Sequence, residues 1–149
     1  MKKIHIYFFL IFLVIPRVFL SAQTAAELDI LLETREMSQA QAARYVLTAV
    51  DGPVSQDSAF QQAMEKGWLP ENAAANDPIT LGSLSFLIMK AFDYKGGLMY
   101  MLLPGPRYAF RSLVSRSIIQ GTVDPAMKVS GDKFLLILGN LLDAAGGDE

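Results

Sequence analysis

Ala59-Phe60 recurs fifty residues later as Ala109-Phe110. At the same offset, DPITLGSLSFLI from Asp77 is answered by MKVSGDKFLLIL from Met127, pairing Ile79 with Val129, Thr80 with Ser130 and Leu84 with Phe134. A half-length third copy lies upstream, where Met37-Ser38 stands in for Ile79-Thr80. The unit reads as a helix closed by Gly, a short loop, a β-branched or Met residue, a hydroxyl cap and an apolar helix. Each helix pair of this kind has an apolar face that it cannot bury alone, so the copies must stack on one another. That requirement narrows the possible folds more than any other feature of the chain.

Helical period and helix punctuation account for every strongly patterned segment. In TAAELDILLETRE, Leu28, Leu31 and Leu32 fall on one stripe, and Thr24 with Glu27 makes a capping box. SQAQAARYVLTAV follows, with Ser38 and Gln41 as a second capping box, Ala42, Tyr45, Val46 and Ala49 on one face, and Asp51-Gly52-Pro53 as the stop. Asp57 or Ser58 opens AFQQAMEK, which Gly67 closes in a left-handed turn. Thr80 caps LGSLSFLIMKAF, which Gly96-Gly97 ends. Pro106 starts RYAFRSLVSRSII, which Gly121 ends, and Ser130 caps GDKFLLILGNLLDAA. No segment alternates as a strand would. The expected fold is all-α, a small bundle of about six helices built from repeated helix–loop–helix units.

This repeat resembles the S-layer homology domain, whose units run from a Gly-closed helix through a loop to a Thr-capped helix. AFQQAMEKGWLPENAAANDPITLGSLSFLI and YAFRSLVSRSIIQGTVDPAMKVSGDKFLLIL carry the likeness best, and it covers Ser38 to Asp143. The resemblance implies a fold of stacked helix pairs and an exported envelope protein that holds anionic cell-wall polymer. In the family the Thr is usually followed by Arg and, two residues on, by an acid. Here Thr80 precedes Leu81-Gly82-Ser83 and Ser130 precedes Gly131-Asp132-Lys133. The basic residue that helps the family grip its polymer is missing from both capped turns.

MKKIHIYFFLIFLVIPRVFLSA has the form of a signal peptide over residues 1–22: Lys2 and Lys3, an apolar run from Ile4 to Ile15, then small Ser21 and Ala22. The rival reading, one anchoring helix, is opposed by Arg17, which cuts the apolar run short. No Cys follows to take a lipid. The expected organisation is a leader at 1–22, a single helical domain at 23–143 and a disordered tail at 144–149.

The chain contains no Cys, and its only His is His5, inside the leader. A mature protein of this kind has no Ser–His or Cys–His pair, no thiolate and no imidazole metal site. Nor does it use the disulfides common in small exported domains, so an ordinary core must hold it. Ser130 to Lys133 matches a Ser-x-x-Lys spacing in which the Lys can activate the Ser, but the companion motifs are absent and Ser130 sits where a cap belongs. Glu71, Asp77, Asp124 and Asp132 lack the ladder of a calcium loop, and Asp77-Pro78 and Asp124-Pro125 read as turns. Neither a metal nor a cofactor is expected. Trp68, directly after Gly67, reads as a plug between helices.

Charge is segregated along the chain. From Gln23 to Asp93 there are four basic and ten acidic residues. From Tyr94 to Val123 there are Lys95, Arg107, Arg111 and Arg116 and no acid. From Asp124 to the end there are two basic and five acidic residues. Arg107 and Arg111, four apart, share a helix face with Tyr108 beside them, suited to a carboxylate or phosphate polymer or an acidic partner. The plain alternative is that these arginines pair with the chain's own acidic first half. Upstream lies LMYMLL, 98–103, too short to span a bilayer. It is expected to fold back over the core, with Gly96, Gly97 and Gly105 supplying the bends; the competing reading makes Met99, Tyr100, Met101 and Leu102 a sticky surface.

Together these features predict a non-catalytic envelope protein with a binding or structural role. The candidate partner-binding residues are Arg107, Tyr108, Arg111, Arg116, Met99, Tyr100 and Met101, and no catalytic residue is assigned. The expected partner is an envelope protein or an anionic cell-wall polymer, not nucleic acid, with a membrane met only through the uncleaved leader. The alternative is a small periplasmic enzyme, or a subunit of one, using carboxylates or the Ser–Lys pair.

Overall fold

Hydroxyl caps at Ser38, Ser55 and Thr80 open three helices of the computed structural model, which describes residues 25–121 and 123–146. The fold is all-helical, with no strand among the described residues. Its helices are α1 (25–33), α2 (Gln39–Asp51), α3 (Gln56–Glu65), α4 (Leu81–Ala91), α5 (Leu98–Leu102), α6 (Pro106–Ser115) and α7 (Gly131–Gly146). The leader expected at 1–22 and the Thr24 half of the first capping box lie outside the described residues. Where a disordered tail was expected from 144, α7 runs on through Gly146.

Contacts divide the chain at Thr34 and Arg35. In the first unit Leu31 is buried, whereas Leu28 and Leu32, expected on the same stripe, are about half exposed. The second unit, Arg35 onward, holds α2 to α7.

Caps agree with sequence for α2 and α4. The Ser38 hydroxyl accepts the Gln41 amide at 3.2 Å while the Gln41 side chain accepts the Ser38 amide at 3.0 Å. Thr80 accepts the Ser83 amide at 3.2 Å. For α3 the cap is Ser55, which accepts the Ser58 amide, and Asp57 falls in the first turn. An acid inside that turn favours the positive helix end, which is why Asp57 reads as a start signal although it lies two residues past the cap.

Three helices finish in the same way. At the end of α3, Gly67 takes φ +67° and the amides of Gly67 and Trp68 donate to Met64 and Ala63. Asp93 at φ +49° does the same for α4, with Tyr94 donating to Met89, and Ser117 at φ +59° for α6, with Ile118 donating to Leu113. Gly96-Gly97 and Gly121 therefore do not end these helices. The paired bonds, which satisfy orphan carbonyls, outweigh the modest cost of a left-handed Asp or Ser.

The three hub residues Met37, Ile79 and Val129 are fully buried. Buried backbone groups must find partners, and these find each other in a ring. Met37 donates to Val129 at 2.7 Å, Ile79 to Met37 at 2.8 Å and Val129 to Ile79 at 3.1 Å. From this ring α2, α4 and α7 depart. The first two amides of α2, Gln39 and Ala40, donate to Asp77 and Ala75; those of α4, Leu81 and Gly82, donate to Met127 and Pro125. A loop preceding one core helix thus closes the N-terminus of another.

Helix α3 packs on α2 and α6 on α4. Both α3 and α6 start 25 residues before the core helix that follows them, α4 and α7. By contrast, α2 leads α3 by 17 residues and α4 leads α6 by 25. The extra length between α4 and α6 is the connection that carries α5. Helix α2 buries Ala40, Ala42, Ala43, Val46 and Leu47, leaving Ala49 exposed, and its Tyr45 ring meets Phe134 of α7 at 6.0 Å.

Truncating a hub residue should therefore cost far more than removing a cap. Ile79→Ala is expected to lose about 2–5 kcal/mol of stability and Thr80→Ala about 1 kcal/mol, both read from urea unfolding. Equal losses would mean that the ring is not the point on which the helices depend.

Candidate binding site

Helix α6 presents two clefts, one on each side. The larger, about 630 Å³, lies between the start of α4 and α6, lined by Thr80, Gly82, Pro106, Arg107, Phe110 and Arg111 and floored by the 124–126 loop. The smaller, about 290 Å³, lies between α5 and α6, lined by residues 97–100, Tyr108, Arg111, Ser112 and Ser115. Arg111 borders both. Arg107 is four residues earlier on the same helix, so the pair marks one face.

The larger cleft owes its shape to a close backbone approach. Gly82 donates to the Pro125 carbonyl at 2.8 Å, and a side chain on Gly82 would sit only 3.2 Å from that oxygen. Asp124 shapes the loop by accepting the Ala126 amide at 2.7 Å, a turn like the one expected at Asp124-Pro125. Among the described residues neither Arg107 nor Arg111 has an ion-pair partner, and Asp124 is the only acid lining either cleft. The pairing of these arginines with the acidic first half is therefore not found. The ion pair seen in this unit joins Lys128 to Glu36 at 3.0 Å.

Tyr100 fixes the smaller cleft. Its ring stands edge-on to Phe86 at 6.4 Å, and Gly97 donates to the Ser112 hydroxyl at 3.2 Å. Gly96 is there for space rather than for a bend: a Cβ on it would collide with Cβ and Cγ of Tyr100, both 2.7 Å away. Burial, and secondarily the charge of Asp93, pushes the Tyr100 hydroxyl above its ordinary pKa.

The expectation that 98–103 folds back over the core is overturned. Only Tyr100 is buried, while Leu98, Met99, Met101, Leu102 and Leu103 are 70, 49, 71, 65 and 58% exposed. A five-residue helix has room to turn one large side chain inward, and Tyr100 takes that place.

The candidates thus separate. Arg107, Tyr108, Arg111, Met99 and Tyr100 gather along α6. Met101 lines neither cleft. Arg116 is occupied elsewhere, its guanidinium 5.0 Å above the Tyr94 ring and donating to the Tyr94 hydroxyl at 3.2 Å. Phe110 and the 124–126 loop were not among the sequence candidates for binding, although the fifty-residue offset pairs them with Phe60 and with 74–76. Trp68 is only partly buried and carries Lys66 over its ring at 4.4 Å, so it does not plug a gap.

At the start of α7 the Ser130 hydroxyl donates to the Asp132 carboxylate, which also accepts the Lys133 amide. These bonds, the Ser130 one first, hold Asp132 below the usual carboxylate range.

No protein-family model, curated protein or solved structure matches this chain. Among the described residues no helix is long and apolar enough to cross a membrane, and no three His, Asp or Glu side chains gather as a metal site.

Gly96→Ala is expected to expel Tyr100, lowering stability by about 1–3 kcal/mol and returning one phenol toward its ordinary pKa of about 10. Ultraviolet titration beside Tyr100→Phe checks this. Asp132 has a folded pKa below its unfolded one, so its stabilisation is present above about pH 4 and lost as pH falls through the folded value. Asp132→Asn should accordingly melt below the parent at neutral pH, with the gap closing in acid.

Proposed function

We propose that this chain is an exported, non-catalytic binding protein of the cell envelope, built from degenerate S-layer-homology-like repeats. Its receptor surface is the cationic face of α6, and its ligand is an anionic cell-wall polymer. The observation that carries the reading is the pair Arg107 and Arg111, both exposed, without an ion-pair partner among the described residues and lining one cleft. Guanidinium forks suit carboxylate and phosphate oxygens.

The repeat reading is supported by the hydrogen-bond ring at Met37, Ile79 and Val129 and by the two 25-residue spacings. The leader-like residues 1–22 support export. An envelope protein presenting carboxylates would use the same two arginines. Polymer is preferred because the S-layer-homology-like repeat implies it, and the two arginines line one solvent-open cleft.

Arg107→Glu with Arg111→Glu should abolish retention on purified sacculi. Each charge-assisted hydrogen bond contributes about 1.5–3 kcal/mol, so the double reversal is expected to weaken binding by on the order of a hundredfold or more. Unchanged co-sedimentation, in protein whose helix content is intact, removes the proposal.

A further inference from the structure

We infer that α5 and Leu103 form a wedge that enters the surface of an anionic lipid bilayer. The inference does not rest on polymer binding, and it goes beyond the expectation that only residues 1–22 meet a membrane. Five large apolar side chains, Leu98, Met99, Met101, Leu102 and Leu103, stand 49–71% exposed on one short projection. Exposure of that extent over consecutive residues marks an interaction surface.

Geometry favours lipid over a protein groove. At about 100° per residue, Leu98, Met99, Met101 and Leu102 span roughly 160° of the turn, centred opposite the inward Tyr100. One helix neighbour or groove covers a stripe of roughly 100°. A fluid hydrocarbon boundary wraps a wider convex tip, and the depth such elements reach is about 5–10 Å.

Charge agrees. Lys95 lies three residues before the wedge and Arg107 four after it, both exposed, and Arg111 shares a cleft with Met99 and Tyr100. No acid occurs from Tyr94 to Val123. Asp93, just outside, is the one acid whose charge is felt at Tyr100. An apolar tip with cations at its base matches acyl chains beneath phosphate headgroups.

The test uses the full chain, whose lack of Cys makes Met101→Cys a unique labelling point for an environment-sensitive fluorophore. Vesicles of phosphatidylglycerol and phosphatidylcholine should shift its emission to shorter wavelength and make it quenchable from the acyl region. Pure phosphatidylcholine should produce much less shift, and the same label at Gln61→Cys, exposed on α3, should stay in water on both. Residues 1–22 are present in every sample and tether the chain equally, so they cannot create a difference between positions 101 and 61. Adding Leu98→Ser and Leu102→Ser should reduce the shift ~tenfold or more while sacculus retention persists, which separates this inference from the polymer reading. A label at 101 that remains in water on anionic vesicles overturns the inference. So does an equal shift on both lipids, or a vesicle-independent shift that grows with protein concentration, which would assign the wedge to a second copy.

Discussion

Everything in the second unit depends on three buried peptide groups that have nowhere else to bond. Met37, Ile79 and Val129 are excluded from water, and each sits two residues before the first residue of a core helix, where no helical partner is available to its amide. Closing a ring among themselves satisfies three donors and three acceptors at once. It also forces α2, α4 and α7 to begin at one hub. The loops that deliver Ile79 and Val129 then lie across the starts of α2 and α4, where their carbonyls accept the first helical amides. Cap, loop and hub are in this sense one hydrogen-bonded device used repeatedly.

The departures from regularity are where the candidate functions lie. Between α2 and α3 the connection is four residues, 52–55; between α4 and α6 it runs from Phe92 to Gly105 and carries α5. A longer connection on an otherwise similar helix pair adds surface rather than core. It adds an exposed apolar tip, and it leaves α6 bordered by clefts on both sides. Two of the four basic residues of the chain's acid-free stretch, Arg107 and Arg111, line these clefts, so shape and charge are specialised together.

The start of α7 shows how the device tolerates substitution. Ser38 and Thr80 offer a hydroxyl to the third helical amide, whereas at α7 the Ser130 side chain and the Lys133 amide act on the Asp132 carboxylate and lower its pKa. A carboxylate at a positive helix end gains from the helix dipole, which favours the helix start. The Ser-x-x-Lys spacing follows from a cap and a charged first turn.

Sequence alone determined the helical class, the caps at Ser38 and Thr80, the left-handed Gly67, the hub residues and the clustering of arginines. These rest on period, on short-range hydrogen bonds and on composition, all of which are written within a few residues. The ends at Asp93 and Ser117 were hidden because neither residue advertises a positive φ; paired bonds to the preceding turn impose it. Tertiary structure alone decided that Arg111 borders two clefts, that Arg116 is bound to Tyr94, and that LMYMLL turns one residue in and five out. Burial and charge pairing are set by groups far away in the chain, and only the folded contacts bring those groups into reach.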